Sequence, residues 1–131
     1  MTMRALVVDD STAMRSILSR MLRELGLEVA EARNGREALE YIAAHGLADV
    51  MLVDWNMPEM NGLDLVRAVR QDLGQRQVLM MMVTTETETA QMVKAFAAGA
   101  NEYLMKPFTK AALVEKLDLL GVDATCARSE S

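Results

Sequence analysis

One cysteine, one histidine and no long apolar run set the first bounds on this 131-residue chain. A single thiol, Cys126, cannot form an internal disulfide, and it lies in a polar stretch that gives it no redox role. His45 falls near the end of a predicted helix and reads as a solvated side chain rather than a ligand or phosphoacceptor. No segment approaches the roughly eighteen apolar residues of a membrane span, and no signal-like segment opens the chain. A cytoplasmic protein is expected, with no membrane partner. Positive charge is also short: the net charge is −5, and nucleic-acid binding needs clustered Lys and Arg. Long linkers, low-complexity tracts and a Gly-rich phosphate cradle are missing as well.

What is there suits a single packed domain. Half of the residues (51%) are hydrophobic and a quarter (25%) are charged, enough to cover a two-sided sheet and keep it soluble. Val50-Met51-Leu52-Val53 runs without alternation, the pattern of a strand buried on both faces, and surfaces at Asp54. Trp55-Asn56-Met57-Pro58 must then turn, because proline removes a ladder donor. Similar short runs occur at Arg4–Val8, Leu27–Ala30, Val78–Val83 and Tyr103–Met105.

Between them lie helical periodicities. Ser11 caps a helix carrying Met14, Ile17, Leu18, Met21, Leu22 and Leu25 inward, ended by Gly26. Asn34 and Glu37 open a second helix with Leu39 and Ile42 inside, ended by Gly46. A third buries Leu63, Val66, Val69 and Leu73. A fourth is capped by Thr85 and Glu88, packs Met92, Val93 and Phe96, and stops at Gly99. Thr109 caps a fifth, stapled by Phe108 and Leu113 and burying Val114, Leu117 and Leu120. The twelve methionines read as core filler, Met80-Met81-Met82 in a strand and Met14 and Met21 on a helix face. Strand starts recur roughly every 23 to 28 residues, the spacing of consecutive βα units, so the fold class is α/β with a parallel sheet covered on both sides.

Such sheets bind ligands beyond the carboxyl ends of their strands. Asp9 and Asp10 follow the first strand, Asp54 ends the third, Thr84 follows the fourth and Lys106 the fifth. Each alone could be a solvated loop residue or a helix cap; five at one rim are a signal. With neighbouring strands about 5 Å apart, three carboxylates would crowd one another. Two like charges about 4 Å apart repel by about 4 kcal/mol at an effective dielectric near 20. A hard divalent cation offsets this, and oxygen-only ligands with room for water favour Mg²⁺ over zinc. Lys106 adds a second positive charge. A cation, an ammonium and a hydroxyl around one carboxylate are the parts that phosphoryl transfer needs.

These residues resemble the receiver domains of two-component response regulators, specifically the stand-alone, CheY-like chemotaxis branch. The likeness spans about Arg4 to Leu120 and rests on Val7-Val8-Asp9-Asp10-Ser11, Asp54-Trp55-Asn56-Met57-Pro58 with Asn61-Gly62, Val83-Thr84, and Tyr103 through Lys106-Pro107-Phe108. It implies a doubly wound, flavodoxin-like five-stranded parallel sheet in the order 2-1-3-4-5 with five flanking helices, a receiver domain over residues 1–121 and a polar tail at 122–131. It further implies that Asp54 accepts a phosphoryl group from a histidine kinase or a small donor such as acetyl phosphate. Asp10, Asp54 and the Asn56 carbonyl would bind Mg²⁺, with Asp9 acting through water. Lys106 would pair with the phosphoryl oxygens, its bond to Pro107 cis, and Thr84 and Tyr103 would form the switch. Output would pass through a helix 4–strand 5–helix 5 face containing Met92, Tyr103, Met105 and Lys116.

The protein would thus be no enzyme beyond its own phosphorylation and dephosphorylation, a monomer that signals by protein contacts, since little chain follows the fifth helix. Where many chemotaxis members carry lysines early in helix four, this chain has Glu86-Thr87-Glu88-Thr89, and Lys94 and Lys116 replace that charge only in part. A phosphate sink or a receiver for a non-chemotaxis pathway is therefore the alternative reading. A Mg²⁺-dependent aspartyl phosphatase, or a constitutive binding module with a vestigial acidic site, comes third.

Overall fold

Five parallel strands, β1 (Arg4–Val8), β2 (Glu28–Ala32), β3 (Val50–Asp54), β4 (Leu79–Thr84) and β5 (Glu102–Met105), form one sheet in the order β2-β1-β3-β4-β5. The computed structural model describes residues 3–57, 60–74, 77–85 and 89–122. The helices are α1 (Thr12–Glu24), α2 (Gly35–His45), α3 (Gly62–Arg67), α4 (Thr89–Ala98) and α5 (Lys110–Leu119). This is the doubly wound, flavodoxin-like order expected above. Because βα crossovers are right-handed, the chain's reversal after β2 sends helices to opposite faces. Leu18, Leu22 and Leu25 from the α1 segment and Leu113 and Leu117 of α5 pack with Ala5, Val7, Leu52 and Met81 on one side. Ile42 of α2, Val66 of α3 and Ala95 and Ala98 of α4 pack with Leu6, Val8, Met51, Met80 and Met82 on the other. Every residue of β3 is buried, as an uninterrupted apolar run requires.

Local chemistry sets the helix ends. Ser11, Asn34 and Thr109 each accept a backbone N–H from three residues on, at 3.2, 2.8 and 3.0 Å, satisfying donors that a helix start leaves open. Glu37 does not complete the reciprocal box, because its carboxylate takes the N–H of Arg33 instead (2.9 Å). At the end of α1, Leu27 N–H reaches Leu22 O (3.1 Å) and Gly26 N–H reaches Arg23 O (3.0 Å). That paired closure consumes Leu27, so β2 begins at Glu28 rather than at Leu27. The same device ends α5, where Val122 N–H bonds Leu117 O (2.9 Å) and its side chain is 1% exposed. Val122 thus belongs to the core.

Three further expectations are overturned. Val93 and Phe96 are exposed (60% and 42%), and α4 meets the sheet through Ala95 and Ala98. Leu73 is exposed (44%) because the chain after α3 continues as a π-helical turn, Ala68–Asp72, in which Leu73 N–H bonds Ala68 O (3.0 Å). The wider turn rotates Leu73 off the face it would share with Val69. Ile17 is also exposed (44%), while Arg15 and Ser19 are buried on α1. The Thr85–Glu88 capping pair, Pro58 and Cys126 involve positions outside the described residues.

Ser19 Oγ is buried with no hydrogen-bond partner. Desolvating a hydroxyl without return costs about 1–3 kcal/mol, and alanine is the better helix former. Ser19→Ala is expected to stabilise the fold by about 1 kcal/mol, read as a higher urea midpoint at unchanged slope; a lower midpoint would mean that the hydroxyl has a partner in solution.

Candidate functional site

The rim at the carboxyl ends of β1, β3, β4 and β5 collects the polar residues singled out in the sequence. Asp54, the last residue of β3, is 4% exposed; Asp9, just past β1, is 1% exposed; Thr84, closing β4, is 3% exposed. Asp10 and Asn56 are exposed and Lys106 is half-buried. The Lys106 ammonium donates to Asp54 Oδ1 at 3.1 Å and to Asp9 Oδ2 at 3.3 Å, while its backbone N–H donates to Thr84 O at 2.7 Å. One residue thus joins three strand ends. The Lys106–Pro107 peptide bond is cis.

Asp9 is held from all sides. Its N–H donates to Ala32 O (3.1 Å), its Oδ1 accepts from Ser11 N–H (2.8 Å), and its carbonyl accepts from Arg15 Nη1 (2.7 Å). Arg15 ends the Ser11–Arg15 run that resembles the chemotaxis branch, but sequence reasoning assigned it no role. The signal was present, since residue 15 lies three and seven positions before Leu18 and Leu22 and so falls on the buried stripe of α1.

The electrostatics are those of a site short of positive charge. Burial pushes the Asp54 carboxyl up to about 6, with the Asp9 charge and a hydrogen bond to Asp10 acting in the same sense, against the pull of Lys106. For Lys106 the largest influence, burial, favours the neutral amine. Its hydrogen bonds and attraction to Asp54 and Asp9 outweigh this, and its pKa is raised. Oxygen atoms of Asp9, Asp10 and Asp54 lie within 4.8 Å of one another, the one such acidic group among the described residues. Three carboxylates against one ammonium leave a formal charge of −2, with oxygen donors only. That donor set fits a hard divalent cation and not a soft one.

Tyr103 lies across β5, half-buried, with Lys116 Nζ 5.6 Å from its ring centroid. Lys116 also pairs with Glu102 (3.4 Å). Tyr103 and Thr84 both line a small apolar cavity, together with Trp55, Met82, Met92 and Phe96. Met92 and Lys116 are half-buried and Met105 is exposed, on α4, α5 and β5 respectively. Glu86 and Glu88 lie outside the described residues. Among the described residues no helix is long and apolar enough to cross a membrane.

Comparison with known proteins agrees with this arrangement. The model of the response regulator receiver domain matches residues 5–118. The chain is similar to the chemotaxis protein CheY1 of Helicobacter pylori, 48% identical over 119 residues covering 90% of this chain and 96% of that one. The chemotaxis protein CheY of Pseudomonas aeruginosa is 44% identical over 117 residues, 88% of this chain and 94% of that one. Among solved structures, the chemotaxis protein CheY4 of Vibrio cholerae superposes with a TM-score of 0.85 at 36% identity, over 91% of this chain and 98% of that one.

A carboxyl whose pKa is raised by folding contributes stability that is complete below about pH 4 and is lost as pH rises through about 6. A shift of roughly two units corresponds to about 3 kcal/mol. Without divalent ions, Asp54→Asn is therefore expected to melt several degrees above the parent at pH 7.5, the gap closing towards pH 4. Equal melting temperatures at both pH values would remove Asp54 as the strained group.

Proposed function

The chain belongs to the response regulator receiver family, and from that premise we propose that it is a chemotaxis-type signalling protein switched by phosphorylation of Asp54. The observation that carries the reading is the Lys106 ammonium set between Asp54 and Asp9 at 3.1 and 3.3 Å. It favours the ionised form of a carboxylate whose burial opposes ionisation. The phosphoryl donor is a histidine kinase phosphohistidine or a small acyl phosphate. An Asp54 carboxylate oxygen attacks phosphorus; the O–P bond forms as the P–N bond breaks, its electron pair stays on that nitrogen, and the donor imidazole, already protonated on its other ring nitrogen, leaves neutral. Water later cleaves the acyl phosphate, returning the carboxylate and inorganic phosphate.

Asp10, Asp54 and the Asn56 carbonyl would hold Mg²⁺, with Asp9 acting through water, and the ion when bound supplies neutralisation of phosphoryl charge. Lys106 moves from carboxylate partner to phosphoryl partner. A phosphoryl group brings about 1.5–2 negative charges and strong acceptor oxygens, and Thr84, buried at the neighbouring strand end, turns its hydroxyl towards them. Tyr103 then moves inward into the space that Thr84 vacates. That movement alters the face formed by α4, β5 and α5, where Met92, Met105 and Lys116 would meet the downstream protein. The domain carrying these parts runs through Val122.

Incubated with Mg²⁺ and acetyl phosphate, the chain is expected to gain one acid-stable, base-labile phosphate, and Asp54→Asn none; full labelling of that variant would defeat the assignment. Lys106→Ala should still take label, at least tenfold more slowly, without changing partner affinity. Beryllofluoride-loaded protein should capture a partner that the unloaded protein releases. Equal capture in both states would favour a constitutive binding module.

A further inference from the structure

We propose that Arg15 is a positioning residue for the acidic site, acting through the Asp9–Asp10 peptide. This rests on the metal-binding reading above. Arg15 is 8% exposed, an uncommon place for a guanidinium unless its donors are used. Nη1 donates to the Asp9 carbonyl at 2.7 Å, Nη2 to Thr12 Oγ1 at 3.3 Å, and Nε pairs with Glu31 of β2 at 3.4 Å.

The short bond is to the carbonyl of the peptide that links Asp9 to Asp10. Fixing that carbonyl fixes the plane of the peptide, and so the direction in which Cα of Asp10 presents its carboxylate. Asp10 needs such help more than Asp9 does. The Asp9 carboxylate is already gripped by Ser11 N–H and Lys106, whereas Asp10 is exposed and not wedged by packing. Glu31 completes the arrangement by anchoring the guanidinium to β2, adding a side-chain tie to the Asp9 N–H bond on Ala32 O. A planar, forked donor suits three acceptors in different directions; a lysine ammonium in the same place is a single point on a flexible stem.

The role is positional rather than catalytic, because the guanidinium donors are committed to a carbonyl, a hydroxyl and Glu31. The expected signature is a loss of cation affinity out of proportion to any loss of stability. The test measures Mg²⁺ binding to the unphosphorylated protein by calorimetry and Trp55 fluorescence, with melting temperature alongside, for the parent, Arg15→Met, Arg15→Lys and Glu31→Gln. Arg15→Met keeps the buried stem and loses the donors, and its dissociation constant should rise about tenfold. Arg15→Lys should recover part of that loss, and Glu31→Gln, at a more exposed position, should weaken binding about threefold with little change in melting. Labelling by acetyl phosphate at saturating Mg²⁺ should stay within about threefold of the parent throughout. Unchanged affinity in Arg15→Met and Glu31→Gln beside normal binding by the parent would overturn the inference alone. A parent that binds no Mg²⁺ would remove the metal reading and this inference with it. Should Arg15→Met fail to fold, Glu31→Gln decides by the same criterion.

Discussion

The Lys106 ammonium between Asp9 and Asp54 is the contact on which the rim depends. Two attractions and one repulsion meet there, each of about 4–5 kcal/mol at an effective dielectric near 20. The gross Coulombic sum is favourable by roughly one pair, and desolvation of two nearly buried carboxylates opposes it. The site therefore sits close to balance. The raised pKa of Asp54 expresses the same fact, because the pull of Lys106 does not offset burial and the neighbouring acids. A site near balance responds strongly to one added charge, the property a phosphorylation switch requires.

Topology makes that contact possible between residues far apart in the chain. Strand order β2-β1-β3-β4-β5 puts the ends of β1 and β3 side by side, and β5 returns only two places from β3. The lysine stem can span that gap, and its backbone N–H on Thr84 O keeps its root in register with β4. Gly62 serves the same end from below. A Cβ there would lie 2.5 Å from the Asp54 carbonyl oxygen, so the start of α3 can pass under the acid only as glycine.

The sheet and the gathering of Asp9, Asp10, Asp54 and Lys106 at its rim were legible in the sequence for a common reason. β1 and β3 match their expected limits because uninterrupted apolar runs have few other uses in a soluble chain, and central parallel strands, buried on both faces, leave polar residues mainly at their ends. The caps at Ser11, Asn34 and Thr109 were legible because they are local. The rest depends on information that apolarity does not carry. In α4, apolar residues at 92, 93, 95, 96 and 98 surround the helix, so periodicity could not say that alanines would face the sheet. The π-helical turn has no compositional mark, and it alone displaces Leu73. Arg15 was missed because a charged residue on a buried stripe looks like an interruption until the carbonyl it serves is placed.

The uneven packing of the helices bears on how the rim could communicate. The α1 helix buries Leu18 and Leu22, and α5 buries Leu113 and Leu117, but among the described residues α4 contributes only Ala95 and Ala98 to the buried core. Full burial of a leucine is worth about 1.5–3 kcal/mol, and an alanine methyl offers far less. Displacing α4 therefore sacrifices the least apolar contact of these three helices, while its far end is tied down where Arg70 donates to Gly99 O (3.0 Å) and Asn101 Oδ1 (2.7 Å). A helix anchored at its carboxyl end and lightly held along its length can be biased by a free energy of a few kcal/mol. That is the scale on which one new anion beside Lys106 acts. The exposure of Val93 and Phe96, awkward for a helix meant only to fill a core, is consistent with an element whose outer face has work of its own.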